Sequence, residues 1–387
     1  MRVAVVGGKL QGVEACYLAR KAGWHTRLVD RRADVIARRL CDEFVVSDLT
    51  RQQDLDRAFG GVDLVLPALE DQGALVALSR FCASAGLPLA FDPRAYRISS
   101  SKIASDRLFA DRGIPAPKPW PEAGFPLIAK PSRSSGSRGV RMIRSMDQLR
   151  TVFPAGEASA GWVLQEYLCG PSYSLEVIAV GGCVRCFQVT DLFMDAAYDC
   201  KRVTAPTELP AGLVTELEGI GRAIAAAIDL RGLMDVEVIL NGGRLKVLEI
   251  DARLPSQTPT AVFWSSGVNL VQALGEAACG AGLPPPMVST AGSAVVYEHI
   301  QVSRGLLQTG GEHLMAGSGA LRLHTDFHGA DEALTDYEPG REDWRATLIS
   351  VGGSRSEAWQ KRGEVMVAIR RAFGLGRFID SEPSPPL

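Results

Sequence analysis

The chain has 387 residues, enough for two or three domains that each bury a hydrophobic core. Its formal net charge of −2, with 46% hydrophobic and 22% charged residues, argues against a nucleic-acid-binding protein and against attraction to an anionic membrane. No apolar run reaches membrane-spanning length, and eight scattered cysteines without a signal peptide predict reduced thiols in a cytoplasmic protein.

The first segments predict alternating strands and helices. A short apolar strand at residues 2–6 leads into a Gly7-Gly8 turn, a helix at residues 10–22, and a strand that ends at Asp30. This order is typical of a doubly wound α/β domain. The glycine pattern is GGKLQG rather than GxGxxG, so the alternative of an NAD-dependent enzyme rests on this turn and Asp30 alone.

Two acidic residues, Glu70 and Asp71, follow the predicted strand at residues 64–66. Ligands of open α/β sheets bind beyond the carboxyl ends of the strands, and carboxylates there suit an ammonium group. The alternative is that they form the N-capping loop of the next helix, at residues 75–85.

A helix is predicted at residues 99–112, with Ser101 as its cap and Lys102 in its first turn. A lysine there opposes the helix dipole, unless it faces an anion that also meets the helix N-terminus. An ordinary surface lysine is the alternative. A proline-rich connector then leads into a new subdomain, whose first buried strand ends at Lys130.

A hydroxyl- and glycine-rich loop follows Lys130, and it contains Ser132, Ser135, Gly136 and Ser137. Its backbone amides could cradle phosphates and its glycines could let it close as a lid, although it lacks the Walker sequence. A hairpin tip without function is the alternative. Further along, a strand breaks at Gly-Pro after four residues that could present their backbone to an adenine edge: Gln165, Glu166, Tyr167 and Leu168.

The most informative stretch is a predicted hairpin at residues 232–260, with a turn at Asn241-Gly242-Gly243. It brings Glu237 near Glu249 and Asp251. Three converging carboxylates repel one another unless a divalent cation neutralises them, and oxygen ligands without His or Cys favour Mg²⁺. The stretch therefore predicts a site for Mg²⁺ and a nucleoside triphosphate, with a solvated acidic hairpin as the alternative.

The order of these motifs resembles that of the ATP-grasp carboxylate–amine ligases. The resemblance implies an α/β fold with a Rossmann-like N-terminal domain (1–95), a central lid subdomain (96–166), a C-terminal ATP-grasp domain (167–380) and a mobile tail (381–387). It also implies that Lys102 and Lys130 contact ATP phosphates and that the acidic hairpin holds Mg²⁺. Where many members have Asn, this chain has Asp251, and Ser172 stands where a ribose-binding carboxylate is expected.

Within that family, the segments GGKLQGVEA, GPSYSLEV, MDVEVI and LEIDARLPSQTPT are similar to those of the ligases of pyrrolysine biosynthesis. These enzymes join (3R)-3-methyl-D-ornithine to the ε-amine of L-lysine through an acyl phosphate. The resemblance implies Arg253 and Lys130 as catalytic residues. The residues expected to contact these two small molecules are Leu10, Gln11, Glu70, Asp71, Ser172, Tyr173, Ser174, Glu176, Asp235, Arg253 and Ser256.

Both substrates are cationic, so acidic residues should line their pockets, and Glu70, Asp71, Glu176 and Asp235 are the candidates. ATP and Mg²⁺ are the expected cofactors. The oligomeric state is open, with a homodimer as one option. The alternatives are another ATP-grasp ligase of amino-acid or purine metabolism, or a regulator that binds ATP without turnover.

Overall fold

A computed structural model describes residues 1–154, 161–283 and 292–383 of the chain. The N-terminal part alternates strands and helices as predicted: β1 (Arg2–Val6), α1 (Leu10–Lys21), β2 (His25–Asp30), β3 (Glu43–Val46), α2 (Gln52–Phe59), β4 (Leu64–Pro67) and α3 (Gln72–Ala85). The four strands form a parallel sheet in the order β3-β2-β1-β4. The carboxyl ends of these strands therefore lie along one edge, where the residues after β4 face a ligand-binding crevice.

The helix predicted at residues 99–112 is α5 (Lys102–Arg112), and a separate short helix, α4 (Pro93–Ser99), precedes it. The break has a local cause, because Ser101 caps α5 by accepting a hydrogen bond from the Ala104 backbone N–H at 3.4 Å. Lys102 is therefore the first residue of α5, as the sequence indicated. The helix α4 was not predicted, although Asp92 and Pro93 form an ordinary start signal.

A small antiparallel sheet follows, formed by β5 (Leu127–Pro131), β6 (Arg141–Ile143) and β7 (Trp162–Glu166) in the order β6-β5-β7. A short helix, α6 (Met146–Val152), connects β6 towards β7. The glycine-rich loop connects β5 and β6, which confirms that it is a loop between strands and not a P-loop preceding a helix.

The remainder of the chain builds one twelve-stranded sheet. Its elements, with the helices between them, are β8 (Ser172–Val180), β9 (Cys183–Cys186), β10 (Thr190–Met194), β11 (Cys200–Ala205), α7 (Ala211–Ala227), β12 (Gly232–Asn241), β13 (Arg244–Asp251), α8 (Thr258–Ser266), α9 (Leu270–Ala278), β14 (Ala294–Ser303), β15 (Leu306–Thr309), α10 (Glu312–Met315), β16 (Arg322–Phe327), β17 (Ala330–Thr335), β18 (Trp344–Gly352), α11 (Arg355–Ala372) and β19 (Arg377–Asp380). The main path runs β13-β12-β8-β10-β11-β14-β18-β17-β16.

The predicted hairpin is β12 and β13, and Gly242 and Gly243 adopt the positive φ angles that its turn requires. Glu237 pairs with Glu249, and Asp235 pairs with Asp251. Directly opposed residues of an antiparallel pair project to the same face, so all four carboxylates share one face of the sheet. The register shifts just beyond Glu237, where the ladder skips Leu248.

The N-terminal domain has one hydrophobic cluster of its own, with Val6, Val29 and Leu78, and shares a second with the C-terminal part. The shared cluster combines Val3, Tyr17 and Leu28 of the N-terminal domain with Val271 of α9 and Val295 of β14. Helix α1 packs against α8 and α9, and α9 also contacts β4 of the N-terminal sheet. This packing fixes the position of α1 relative to the large sheet, which matters for the site below.

All eight cysteines are free thiols, as predicted. Within the described ranges, no helix combines the length and apolarity needed to cross a bilayer. The domain boundaries proposed from the sequence remain predictions, and residues 384–387 of the predicted tail lie outside the described residues.

Candidate active site

A cleft of about 700 Å³ lies between the small sheet and the large sheet. It is lined by most of the residues that the sequence assigned to ATP. The predicted residues among its walls are Lys102, Lys130, Ser135, Gly136, Ser137, Gln165, Glu166, Tyr167, Leu168, Ser172, Tyr173, Glu237 and Glu249.

Both lysines point at the acidic hairpin. The Lys102 ammonium donates to Glu249 Oε1 at 2.6 Å and to the Ser134 carbonyl at 2.7 Å. The Lys130 ammonium donates to the carbonyl of Leu248, the bulged residue, at 3.0 Å. Burial lowers the pKa of Lys130, although Glu249 opposes this effect. The cations thus lie beside the carboxylates, as a site for a bound polyanion and a metal ion requires.

Glu237 and Glu249 fit a magnesium site. Burial and the adjacent charge of Glu249 raise the pKa of Glu237 to about 7, so an added cation at this position would relieve a real repulsion. Asp251 lies on the same face, but its Oδ2 is 2.8 Å from the Arg253 Nε. In the described part of the chain, no three acidic, histidine or cysteine side chains form a complete metal site. Two carboxylates leave coordination positions for phosphate oxygens, in keeping with Mg²⁺.

The glycine-rich loop covers the cleft. Gly136 has a φ of 58°, and the hydroxyl of Ser137 donates to the Tyr198 carbonyl at 2.6 Å. The hydroxyl of Ser135 donates to Glu70 Oε2 at 2.6 Å, which connects the loop to the N-terminal sheet. Ser132 differs from its expected role in phosphate binding, because its buried hydroxyl accepts from the Ile103 N–H at 3.2 Å at the start of α5.

The backbone N–H groups of the predicted adenine segment, residues 165–168, differ in whether they are free to bind a base. The Glu166 N–H donates to the Lys118 carbonyl at 2.9 Å, and the Tyr167 N–H donates to Pro126 at 3.1 Å. The Glu166 side chain is also bound, since it accepts a hydrogen bond from the Lys246 ammonium. Among the described residues, nothing accepts from the N–H of Leu168, which lines the cleft and is the available donor for a base edge.

The opposite wall of the cleft contains residues that the sequence reasoning missed. Arg355, at the start of α11, lies 2.7 Å from Asp191 Oδ2 and 3.1 Å from Glu208 Oε1. Both carboxylates line the cleft beside Tyr173. No sequence signal near the predicted adenine segment identifies Arg355, because α11 begins more than a hundred residues after that segment.

Glu70 and Asp71 have different roles. Asp71 caps α3 by accepting from the Ala74 N–H at 3.0 Å, so for this residue the capping alternative is correct. Glu70 faces the site, where its Oε1 lies 2.8 Å from Arg253 and 3.5 Å from the amide nitrogen of Gln11. Leu10, which was predicted to contact substrate, does not lie with these polar residues. Its side chain packs against the hydrophobic core.

Arg253 lies at the centre of the acidic face. Burial lowers its pKa, but Asp251 and Glu70 oppose this effect and hold the pKa above its usual range. The guanidinium is therefore charged and is shared between a carboxylate of the N-terminal domain and one of the hairpin.

A second group of carboxylates lies next to the hairpin, where Asp235 of β12 pairs with Glu176 of β8. Glu176 is fully buried, accepts from the Ser174 hydroxyl at 3.3 Å, and has a pKa that burial raises to about 7. Asp235 is also buried, and burial together with Glu237 raises its pKa. The hydroxyl of Ser256 donates to Glu312.

Two members of this acidic group, Glu14 and Glu312, were not predicted. Glu14 lies on the inner face of α1, within the GGKLQGVEA segment. An acidic residue flanked by buried apolar positions was a usable signal for Glu14. No comparable signal marks Glu312.

Comparison with known proteins gives a consistent result. Residues 99–257 match the ATP-grasp domain family. The chain is 34% identical over 375 residues to a protein of Methanosarcina acetivorans named 3-methyl-D-ornithine–L-lysine ligase, covering 96% of this chain and 98% of that protein. A protein of the same name from Methanosarcina barkeri is 33% identical and is covered to 98%.

Solved structures share the fold at low sequence identity. An ADP complex of N5-carboxyaminoimidazole ribonucleotide synthetase superposes with a TM-score of 0.70 at 14% identity, covering 96% of this chain and 97% of that one. An L-amino acid ligase from Bacillus licheniformis gives a TM-score of 0.69 at 14% identity, with 95% and 97% covered. These similarities confirm the predicted α/β ATP-grasp architecture.

Proposed function

Because the chain belongs to the ATP-grasp ligases, and within them to the family of the 3-methyl-D-ornithine–L-lysine ligases, we propose that it joins 3-methyl-D-ornithine to the ε-amine of L-lysine. The chain is a ligase that forms a C–N bond, and our proposal concerns the identity of the two amino acids that it joins. The observation that supports the substrate class is a cleft containing Lys102, Lys130, Glu237 and Glu249, beside a buried acidic group suited to cationic amino acids.

The first step is transfer of a phosphoryl group. A carboxylate oxygen of 3-methyl-D-ornithine attacks the γ-phosphorus of ATP, which gives an acyl phosphate and releases ADP. Lys102, Lys130 and the loop at Ser135–Ser137 offset the charge of the triphosphate, and positioning provides much of the acceleration. Glu237 and Glu249 would hold Mg²⁺, which supplies charge neutralisation for phosphate oxygens. Asp251 supports this pair by fixing Arg253.

The second step forms the amide bond. The neutral ε-amine of lysine attacks the acyl carbonyl, the C–O bond to phosphate breaks, and inorganic phosphate leaves. Arg253 is the cation available to stabilise the oxyanion, because it is charged and fixed by two carboxylates. Glu176 is suited to accept the proton that the amine loses, because burial raises the pKa of its carboxyl to about 7.

The test is the dependence of phosphate release on both amino acids. Purified protein is supplied with Mg·ATP, L-lysine and D-ornithine as an analogue of the methylated substrate, and phosphate and the coupled product are measured together. We expect both only when the two amino acids are present. Phosphate release with a different carboxylate or amine would favour another ATP-grasp reaction, and ATP binding without phosphate release in any mixture would favour a regulator.

A further inference from the structure

The C-terminal end of β19 is held by a buried ionic cluster. The Asp380 carboxylate accepts a hydrogen bond from the Lys201 ammonium at 2.7 Å. Its second oxygen lies 2.7 Å from the Arg202 guanidinium and 2.9 Å from that of Arg362. The Lys201 ammonium also donates to the Ser381 carbonyl at 2.5 Å. Lys201 is fully buried, and within the described residues these two contacts are its only side-chain hydrogen bonds, so a buried lysine depends on the chain end.

The charge balance of this cluster also requires Asp380. The other carboxylate is Glu298, which lies 2.9 Å from Arg202 and 2.7 Å from Arg362. Without Asp380, three largely buried cations would share that single carboxylate, and an uncompensated buried charge is strongly destabilising. The cluster therefore fixes the point at which the chain leaves β19, beyond what pairing with β15 alone requires.

The chain that leaves this cluster enters the wall of the active-site cleft. Glu382 and Pro383 line the cleft together with the predicted adenine segment. The cluster itself adjoins the same wall, because the guanidinium carbon of Arg202 lies 5.7 Å from the ring centroid of Phe193, which also lines the cleft. The segment that the sequence predicted as a mobile tail thus begins with two residues of the cleft wall.

The charge of Glu382 indicates which part of a nucleotide it would meet. Lys102 and Lys130 point at the acidic hairpin and would attract a triphosphate there, whereas a carboxylate repels it. The hydroxyls of a ribose are donors that a carboxylate accepts. Ser172 stands where the resemblance to the ATP-grasp ligases places a ribose-binding carboxylate, so another residue is needed for this contact.

Glu382 is the carboxylate of the cleft wall that is available for this contact. The wall contains five others: Glu166, Asp191, Glu208, Glu237 and Glu249. The first three pair with Lys246 or Arg355, and the last two are the magnesium ligands proposed above. Glu382 is exposed, and among the described residues no Lys, Arg or His forms a salt bridge with it.

We propose that Glu382 binds the ribose hydroxyls of the nucleotide, and that Asp380 is the positioning residue that holds Glu382 at the cleft. This role rests on the proposed function in one respect, the binding of a magnesium nucleotide in this cleft. It makes the C-terminal segment part of the nucleotide site. Since the contact involves the ribose alone, a nucleotide without ribose hydroxyls should not sense the loss of Glu382.

The experiment compares Mg·ADP with Mg·2′,3′-dideoxy-ADP by calorimetry on the full chain. For the wild type we expect ADP to bind about tenfold more tightly, the value of one hydrogen bond to a charged acceptor at an exposed site. Glu382→Ala should weaken ADP about tenfold and leave dideoxy-ADP almost unchanged, so that the preference falls to about twofold or less. Glu382 is exposed, so this variant should fold as the wild type does.

Two further variants complete the comparison. Asp380→Asn should reduce the preference for ADP about threefold or more, a change that a purely structural role would not produce. The matched control is Glu364→Ala, because Glu364 is an exposed glutamate of α11 that lies outside the cleft and accepts from the Gln360 amide at 2.9 Å. Its preference should equal that of the wild type.

The role of Glu382 is refuted if the wild type binds both nucleotides equally, or if Glu382→Ala keeps the preference of the wild type. It is also refuted if Glu382→Ala tightens Mg·ADP, since the carboxylate would then face the phosphates. If Asp380→Asn weakens both nucleotides by the same factor, Asp380 does not position Glu382. A wild type that does not bind Mg·ADP contradicts the proposed function instead, so the two failures are distinguishable.

Discussion

Replacing Lys102 by methionine should change metal affinity and nucleotide affinity in opposite directions. Without nucleotide, the Lys102 ammonium lies 2.6 Å from Glu249 Oε1 and competes with a divalent cation for this carboxylate. With nucleotide bound, the same charge faces the triphosphate. Lys102→Met therefore removes a competitor of the metal and a partner of ATP at once.

The size of both effects follows from the geometry. Two unit charges at about 4 Å interact by about 4 kcal/mol at an effective dielectric constant of about 20. The Glu249 side chain is 32% exposed, so solvent screening reduces this interaction. We take the screened interaction energy as about 1–2 kcal/mol, so each affinity should change about 5- to 30-fold. Transition-state charge stabilisation adds to the loss in turnover, so kcat/KM should fall by about 100- to 1,000-fold.

The assay titrates Mn²⁺ into the free protein by electron paramagnetic resonance, and then Mg·ADP by calorimetry. Lys102→Met should bind Mn²⁺ more tightly and Mg·ADP more weakly. Lys361→Met is the control, because Lys361 forms a salt bridge of the same length, 2.6 Å, with Asp331, at 32% and 27% side-chain exposure and outside the cleft. If Lys102→Met shifts both affinities in the same direction, or neither, the electrostatic reasoning is refuted.

Two further predictions test the loop and the C-terminal strand. Ser135→Ala removes the hydrogen bond to Glu70, worth about 1 kcal/mol, and should raise the KM for ATP about threefold to fivefold while increasing phosphate release without product, measured by comparing the two rates. Asp380→Asn weakens the contacts of Asp380 with the buried Lys201 and Arg202, and should cost ~2–3 kcal/mol of unfolding free energy at pH 7. Burial raises the pKa of Asp380, but Arg202 and Lys201 lower it well below its usual range. The stabilisation is therefore present above about pH 4 and is lost as the pH falls further, so denaturant unfolding curves of variant and wild type should converge in acid, and a constant gap would contradict this.

The parts of the site that lie within one short segment could be read from the sequence. The hairpin that opposes Glu237 and Glu249 depends on alternation and on a glycine turn, both of which are local properties. The cap at Ser101, the position of Lys102 and the loop between β5 and β6 follow from neighbouring residues in the same way. Backbone hydrogen bonding and residue propensity act over a few residues, so these features need no knowledge of the remaining chain.

Other features depended on how distant elements pack. Glu70 and Asp71 are adjacent in sequence, yet one faces Arg253 and the other caps α3, and only the direction of the chain after β4 separates their roles. Glu14 and Glu312 reach the same acidic group because α1 packs against the C-terminal helices and α10 packs on β14.

Arg355 illustrates the same limit at the far wall of the cleft, where α11 brings it to Asp191. Local propensity determined the hairpin, the loop and the cap. The burial of apolar surface between remote segments decided which carboxylates lie together, because contacts between distant residues arise from packing that no short window of sequence contains.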